Sequence, residues 1–182
     1  MTSLRHLLPL CVESTRVRCL RDGDVPAFHA YRSDPELARF QSWSSMTLAA
    51  AHAFVAEMAR VEALAPDDWV QLAIADAATD ALLGDLGLRF DPARAEAEVG
   101  FTLCRAAQGA GHATRAVRAA LALLAQAAGV MTVRATTDAR NAASIAVLER
   151  AGFRRVAERN AHFKGEPCVE IDYVVMGPPA ML

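Results

Sequence analysis

The chain lacks the features that would make it a nucleic-acid binder, a disulfide scaffold or a membrane protein. Its 19 Lys and Arg stand against 21 Asp and Glu, a formal net charge of −2 at pH 7, and no stretch is a basic block. A nucleic-acid partner would need clustered cations facing its phosphates, so none is expected. The four cysteines, Cys11, Cys19, Cys104 and Cys168, lie far apart without a C-x-x-C pair. That spacing argues against a zinc ribbon or a disulfide framework and for free thiols in a reducing compartment. No metal is expected, since His29, His52 and His162 also lack ligand spacing. No apolar run approaches the ~20 residues that cross a bilayer. The run 7–12 is interrupted by Pro9 and has no small-residue cleavage site, so it reads poorly as a signal peptide. A cytoplasmic protein without a membrane partner is expected. Repeats and linkers are missing as well, and 182 residues with 53% apolar content suit one domain with an ample core.

Residues 1–13 have no periodicity and read as a loose arm before a domain over 14–176, with 177–182 as a tail. Residues 16–20 alternate like a strand, and Asp22-Gly23-Asp24 offers an N-cap to a helix around Ala27, Phe28 and Tyr31. Ser44 or Ser45 can cap a second helix, with Leu48, Ala51, Phe54, Val55 and Met58 on one face. Residues 69–74 and 82–90 read as antiparallel strands. The second half alternates strand (98–103), helix (111–128), strand (131–136), helix (141–151) and two strands (153–156, 169–176). This order predicts an α/β (α+β) domain, a mixed and mostly antiparallel sheet flanked by helices.

Between the strand at 98–103 and its helix lies Gln108-Gly109-Ala110-Gly111-His112-Ala113. A small-residue loop that opens a helix leaves backbone N–H groups without intrahelical partners, and the helix dipole adds partial positive charge there. Such a turn can hold a diphosphate. A Walker loop would need G-x-x-x-x-G-K-[ST], and no lysine is near Gly111; a G-x-G-x-x-G dinucleotide turn is spoiled by Thr114 at the third glycine position.

The remaining pattern, Q-x-x-G-x-A at Gln108, Gly111 and Ala113, resembles the acetyl-CoA diphosphate motif of the GNAT N-acetyltransferase superfamily. About thirty residues on, Asn141-Ala142-Ala143-Ser144 through Leu148, Gly152 and Phe153 is similar to the N-x-x-S-x-x-v-l-e-k-x-G-F signature of the RimJ/RimL-type branch. Residues 15–24, the Arg32-Ser33-Asp34-Pro35-Glu36 helix end, and Phe163-Lys164-Gly165-Glu166 with Glu170 and Tyr173 resemble other parts of that branch. The resemblance implies a single-domain fold whose splayed strand pair holds acetyl-CoA, the co-substrate. Its cofactor contacts would be Phe101, Thr102, Leu103, Gln108, Gly109, Ala110, Gly111, His112, Ala113, Thr114 and Asn141.

Acetyl transfer to an amine needs a neutral amine, a stabilised oxyanion and a proton for the departing thiolate. By resemblance, N–H groups of residues 101–103 hold the oxyanion. Glu98, on the cradle strand, is the expected base. An α-amine with pKa about 8 is roughly a tenth neutral at pH 7 and a lysine about once in 2,500, so a modest base suits an N-terminal acceptor. The tyrosine that many members use as acid is replaced by Leu148, which leaves Ser144 as the expected acid. Asn141 suits an N-cap and a cofactor contact together. Cys104 reads as a buried free thiol, and His112 as a surface residue beside the phosphates. Trp43 lies where the family builds its acceptor pocket, and Arg115 adds positive charge near the cradle. The expected activity is acetylation of a primary amine, foremost a protein N-terminal α-amine, by a monomer or homodimer. The rivals are a small-molecule amine (polyamine, amino acid or aminoglycoside) and a non-catalytic acyl-CoA-binding module.

Overall fold

The computed structural model describes residues 3–93 and 95–177. One eight-stranded sheet organises them, in the order β1-β2-β3-β4-β5-β6-β8-β7. In chain order the elements are α1 (Leu4–Leu7), β1 (Leu10–Val12), β2 (Thr15–Cys19), α2 (Val25–Arg32), α3 (Pro35–Ala38), α4 (Leu48–Met58), β3 (Trp69–Asp76) and β4 (Leu82–Asp91). Then follow β5 (Glu96–Leu103), α5 (His112–Ala128), β6 (Thr132–Asp138), α6 (Ala142–Arg150), β7 (Arg154–Phe163) and β8 (Glu166–Met176). Every neighbouring pair is antiparallel except β5 and β6. The fold is the single-domain α/β architecture expected from the order of elements.

Two apolar clusters sandwich the sheet. On one face α5 buries Ala116, Val117, Ala120, Leu123 and Leu124 against Leu72, Ile74, Leu86 and Leu88. Its alanines at 116, 119 and 120 let the helix lie close to the strands, and Gly129 in the left-handed region (φ 65) ends it. On the other face α2 and α4 bury Phe28, Tyr31, Ala51 and Val55. Asp85 of β4, itself buried, ties this layer down by accepting from the Tyr31 hydroxyl (3.0 Å) and pairing with Arg32.

Three expectations change. The cap of α4 is Thr47, whose hydroxyl accepts from the Ala50 N–H (3.2 Å), and not Ser44 or Ser45, which stand too far before the first helical turn to reach its amides. The arm at 1–13 is not loose over its described part. Leu4 is fully buried, Ser3 and Arg5 bond to carbonyls of Glu62 and Ala59, and β1 extends the sheet beside β2. One leucine and a three-residue strand are too short to register as periodicity. The strand expected at 153–156 runs on to Phe163, because β7 is an exposed edge without apolar alternation. It turns into β8 at Lys164 and Gly165, both at positive φ. Gly177 opens the expected tail; 178–182 lie outside the described residues. No helix among the described residues is long and apolar enough to cross a membrane.

The sheet is forked at its centre. β5 and β6 pair only at Glu96 with Thr132, Ala97 with Val133 and Glu98 with Arg134, although β5 continues to Leu103 and β6 to Asp138. The Cys104 N–H donates to the Leu83 carbonyl (2.8 Å). By the alternation of an antiparallel ladder, Thr102 and Gly100 therefore bond to β4, while Phe101 and Leu103 direct their N–H and C=O groups into the fork.

Candidate active site

A cavity of about 770 Å³ occupies the fork and the loop beyond it. Its floor at one end is the turn at 108–111. Gly109 (φ 79) and Gly111 (φ 83) both adopt the left-handed conformation, and Gly111 is the residue from which α5 starts. The N–H groups of the first α5 turn thus face a cleft with no side-chain cap on them. Gln108 braces the turn by donating from Nε2 to the Leu103 carbonyl (3.2 Å). Where β4 meets β5, an added Cβ on Gly84 would lie 2.0 Å from the Thr102 oxygen, so the absence of a side chain there lets β5 take its place along the cavity.

α6 forms the opposite wall. Asn141 caps it, its Oδ1 accepting from the Ser144 N–H (3.2 Å), and both residues line the cavity. The Ser144 hydroxyl has no hydrogen-bond partner among the described residues. Leu148 is 1% exposed and packed in the core, so no acid stands at that position. The far end, near Phe101, is closed by α3 and the segment after it. There Leu37, Phe40 and Gln41 line the cavity, and Gln41 Nε2 donates to the Phe101 carbonyl (3.4 Å). Asp34 fixes that segment twice, capping α3 through Glu36 and Leu37 and receiving Arg105 Nε (2.5 Å) and Nη2 (2.9 Å). The Arg105 guanidinium, seconded by the backbone amides, holds the Asp34 carboxyl down at about 2.

The cavity gathers Phe101, Thr102, Leu103, Gln108, Gly109, Gly111, Ala113, Thr114, Asn141 and Ser144. Three expected site residues lie outside its lining. Ala110 contributes its carbonyl to Arg115 Nη1 (2.8 Å) instead. His112 turns away to Thr15, with Nδ1 2.9 Å from the hydroxyl, and so pins the start of α5 to β2. Glu98 stands at the fork, but its carboxylate pairs with Arg89 Nη2 (2.8 Å), the residue opposite it on β4. Trp43 likewise is not in the lining; its ring lies over Arg32 (4.6 Å), and its carbonyl accepts from Lys164 Nζ (2.7 Å). Sequence reading missed Arg118, Arg150 and Glu13, all of which line the cavity. Arg118 and Arg150 have no acidic partner among the described residues and could take phosphate charge. Their spacing one turn beyond Arg115 and at the end of α6 was the available signal. Glu13 had none. No cluster of His, Cys, Asp and Glu suited to a metal occurs among the described residues.

The sequence model of the acetyltransferase (GNAT) domain matches residues 15–154, which include both the cradle and α6. The chain belongs to the GNAT acetyltransferase family. Solved structures agree on the fold. A GNAT-family acetyltransferase from Bacillus anthracis superposes with TM-score 0.82 at 19% identity, over 93% of this chain and 98% of the other. RimL, a ribosomal L7/L12 alpha-N-protein acetyltransferase in complex with coenzyme A, gives 0.77 at 17%, over 92% and 97%. Spermidine N-acetyltransferase from Vibrio cholerae, in complex with CoA and spermine, gives 0.77 at 14%, over 92% and 98%. No curated protein sequence matches the chain. As a GNAT acetyltransferase it uses acetyl-CoA as co-substrate to acetylate an amine. The cavity offers uncapped backbone N–H groups at the start of α5 and strand N–H groups of β5 in the fork.

Proposed function

We propose that this GNAT acetyltransferase is of the RimJ/RimL type and acetylates an N-terminal α-amine of a protein by direct attack on acetyl-CoA. The observation that carries the acceptor class is the charge along the cavity. Glu13 is the one carboxylate among its described lining residues, and it belongs to the cradle end, paired with Arg115. The end near Phe101 is lined by Leu37, Phe40 and Gln41. A polyamine carries several ammonium charges that would need acidic partners on burial. An N-terminal residue presents one amine and a chain that can lie along an uncharged wall. The Asn141-x-x-Ser144 signature supports the branch.

In this reading the N–H groups of Phe101 and Leu103 hold the developing oxyanion, and Ser144 gives a proton to the thiolate. An α-amine with pKa about 8 needs little help to become neutral. Glu98, held by Arg89 at the fork, therefore serves as base only through water. The test is release of free CoA thiol from acetyl-CoA against N-terminal peptides, polyamines, amino acids and aminoglycosides. Turnover of peptides well above the others supports the reading, and preferential turnover of spermidine or spermine refutes it.

A further inference from the structure

Glu13 is a carboxylate at the rim of an anion cradle, which is the wrong charge for the place. It sits in the turn between β1 and β2 with φ 50, a conformation that L residues other than Asn and Asp seldom adopt. Its Oε2 accepts from Arg115 Nε (2.6 Å), while Arg115 Nη1 donates to the Ala110 carbonyl (2.8 Å). An added Cβ on Gly111 would lie 2.9 Å from that same Nη1. The guanidinium is thus laid against the turn whose amides face the cavity, and Glu13 and Arg115 both line it. Glu13 is 67% exposed, and an ion pair so exposed adds little to stability.

We propose that Glu13 competes with the cofactor's diphosphate for Arg115, and thereby limits how tightly the cradle holds both acetyl-CoA and the product CoA. In the empty site the carboxylate holds the guanidinium over the turn. When a diphosphate enters, Arg115 swings its guanidinium, the Nε–H included, from Glu13 to the phosphate oxygens, and Glu13 loses its partner beside two negative charges. The bound state is penalised equally for substrate and product, which favours release of CoA after transfer. The proposal rests on the reading of residues 108–115 as the diphosphate cradle.

Calorimetry of the full chain with acetyl-CoA and with CoA tests it. Glu13→Gln is expected to bind both about three- to fivefold more tightly, and Glu13→Lys more tightly still, with the gain shrinking as salt is raised. Arg115→Gln is expected to weaken both. S-acetylpantetheine, which lacks the diphosphate, should show the same KM with wild type and Glu13→Gln. Unchanged or weaker CoA binding in Glu13→Gln overturns the proposal and leaves Glu13 a mere support for Arg115. Full affinity in Arg115→Gln overturns it too. If Gly111→Val loses cofactor affinity while Glu13→Gln does not change it, the cradle stands and only the competition fails.

Discussion

Replacing Gly111 by valine separates the cost of backbone strain from the loss of the cradle. At φ 83 any L side chain is unfavourable by about 1–2 kcal/mol, and a β-branched one by more. Gly109 carries the same penalty at φ 79, yet a Cβ there meets nothing within 4 Å, whereas at Gly111 it lies 2.9 Å from Arg115 Nη1. Melting of Gly109→Ala without cofactor therefore measures strain alone. In Gly111→Val the side chain also crowds the diphosphate and pushes Arg115 from its place. Loss of one charge-assisted hydrogen bond is worth about 1.5–3 kcal/mol, which corresponds to roughly ten- to 150-fold weaker acetyl-CoA binding. Calorimetry gives the affinity, and thermal melting of both variants gives the strain. Unchanged affinity in a folded Gly111→Val protein would remove the cradle from this turn, because neither its amides nor Arg115 could then be carrying the phosphates.

Four further expectations follow from the same geometry. Ser144→Ala should lower kcat by about 10²-fold with acetyl-CoA affinity nearly intact, since a proton to the thiolate matters only in the transition state; a kcat within about twofold of wild type sinks the assignment. Glu98→Gln should lower the rate less than about tenfold at pH 6.5 and hardly at all at pH 9, where the acceptor is already neutral; an equal loss at both pH values would point to structure instead. Gly84→Ala should destabilise by ~3 kcal/mol or more in denaturant titration, because its Cβ meets the Thr102 oxygen at 2.0 Å and backbone cannot give way cheaply; a change below 1 kcal/mol, itself about what strand glycines ordinarily tolerate, contradicts the close approach. Asp34 is held at about 2, below its ordinary value near 4, so its stabilising contribution is complete above about pH 4 and is lost as pH falls through about 2; the melting temperature of Asp34→Asn should show a shallower fall over that window, and an identical pH profile argues against the Arg105 pair.

What the sequence made legible follows the range of the contacts involved. The turn at 108–111 was readable because its geometry is local: two glycines, a bracing glutamine and a helix start lie within six residues. The α6 motif was readable for the same reason, since Asn141 caps the helix that Ser144 belongs to. Counting back from Gln108 located Glu98 along β5, but it could not reveal that Arg89 stands opposite, because register belongs to the paired strands and not to either alone. Glu13 lies 102 residues from its partner Arg115, and nothing in a strand turn announces a helix that will pack beneath it. The end of the cavity near Phe101 is the extreme case. The wall bearing Leu37, Phe40 and Gln41 is held by Asp34 to Arg105, by Gln41 to the Phe101 carbonyl, and by Lys164, which donates to the carbonyls of Ala38 (2.8 Å) and Trp43 (2.7 Å). Each of those clasps joins segments at least 60 residues apart. The turn at 108–111 and the start of α6 are thus written in short motifs, whereas the wall beside Phe101 depends on how distant loops meet over the fork. A substitution at Lys164 should for that reason alter acceptor KM while leaving the cradle's hold on acetyl-CoA unchanged.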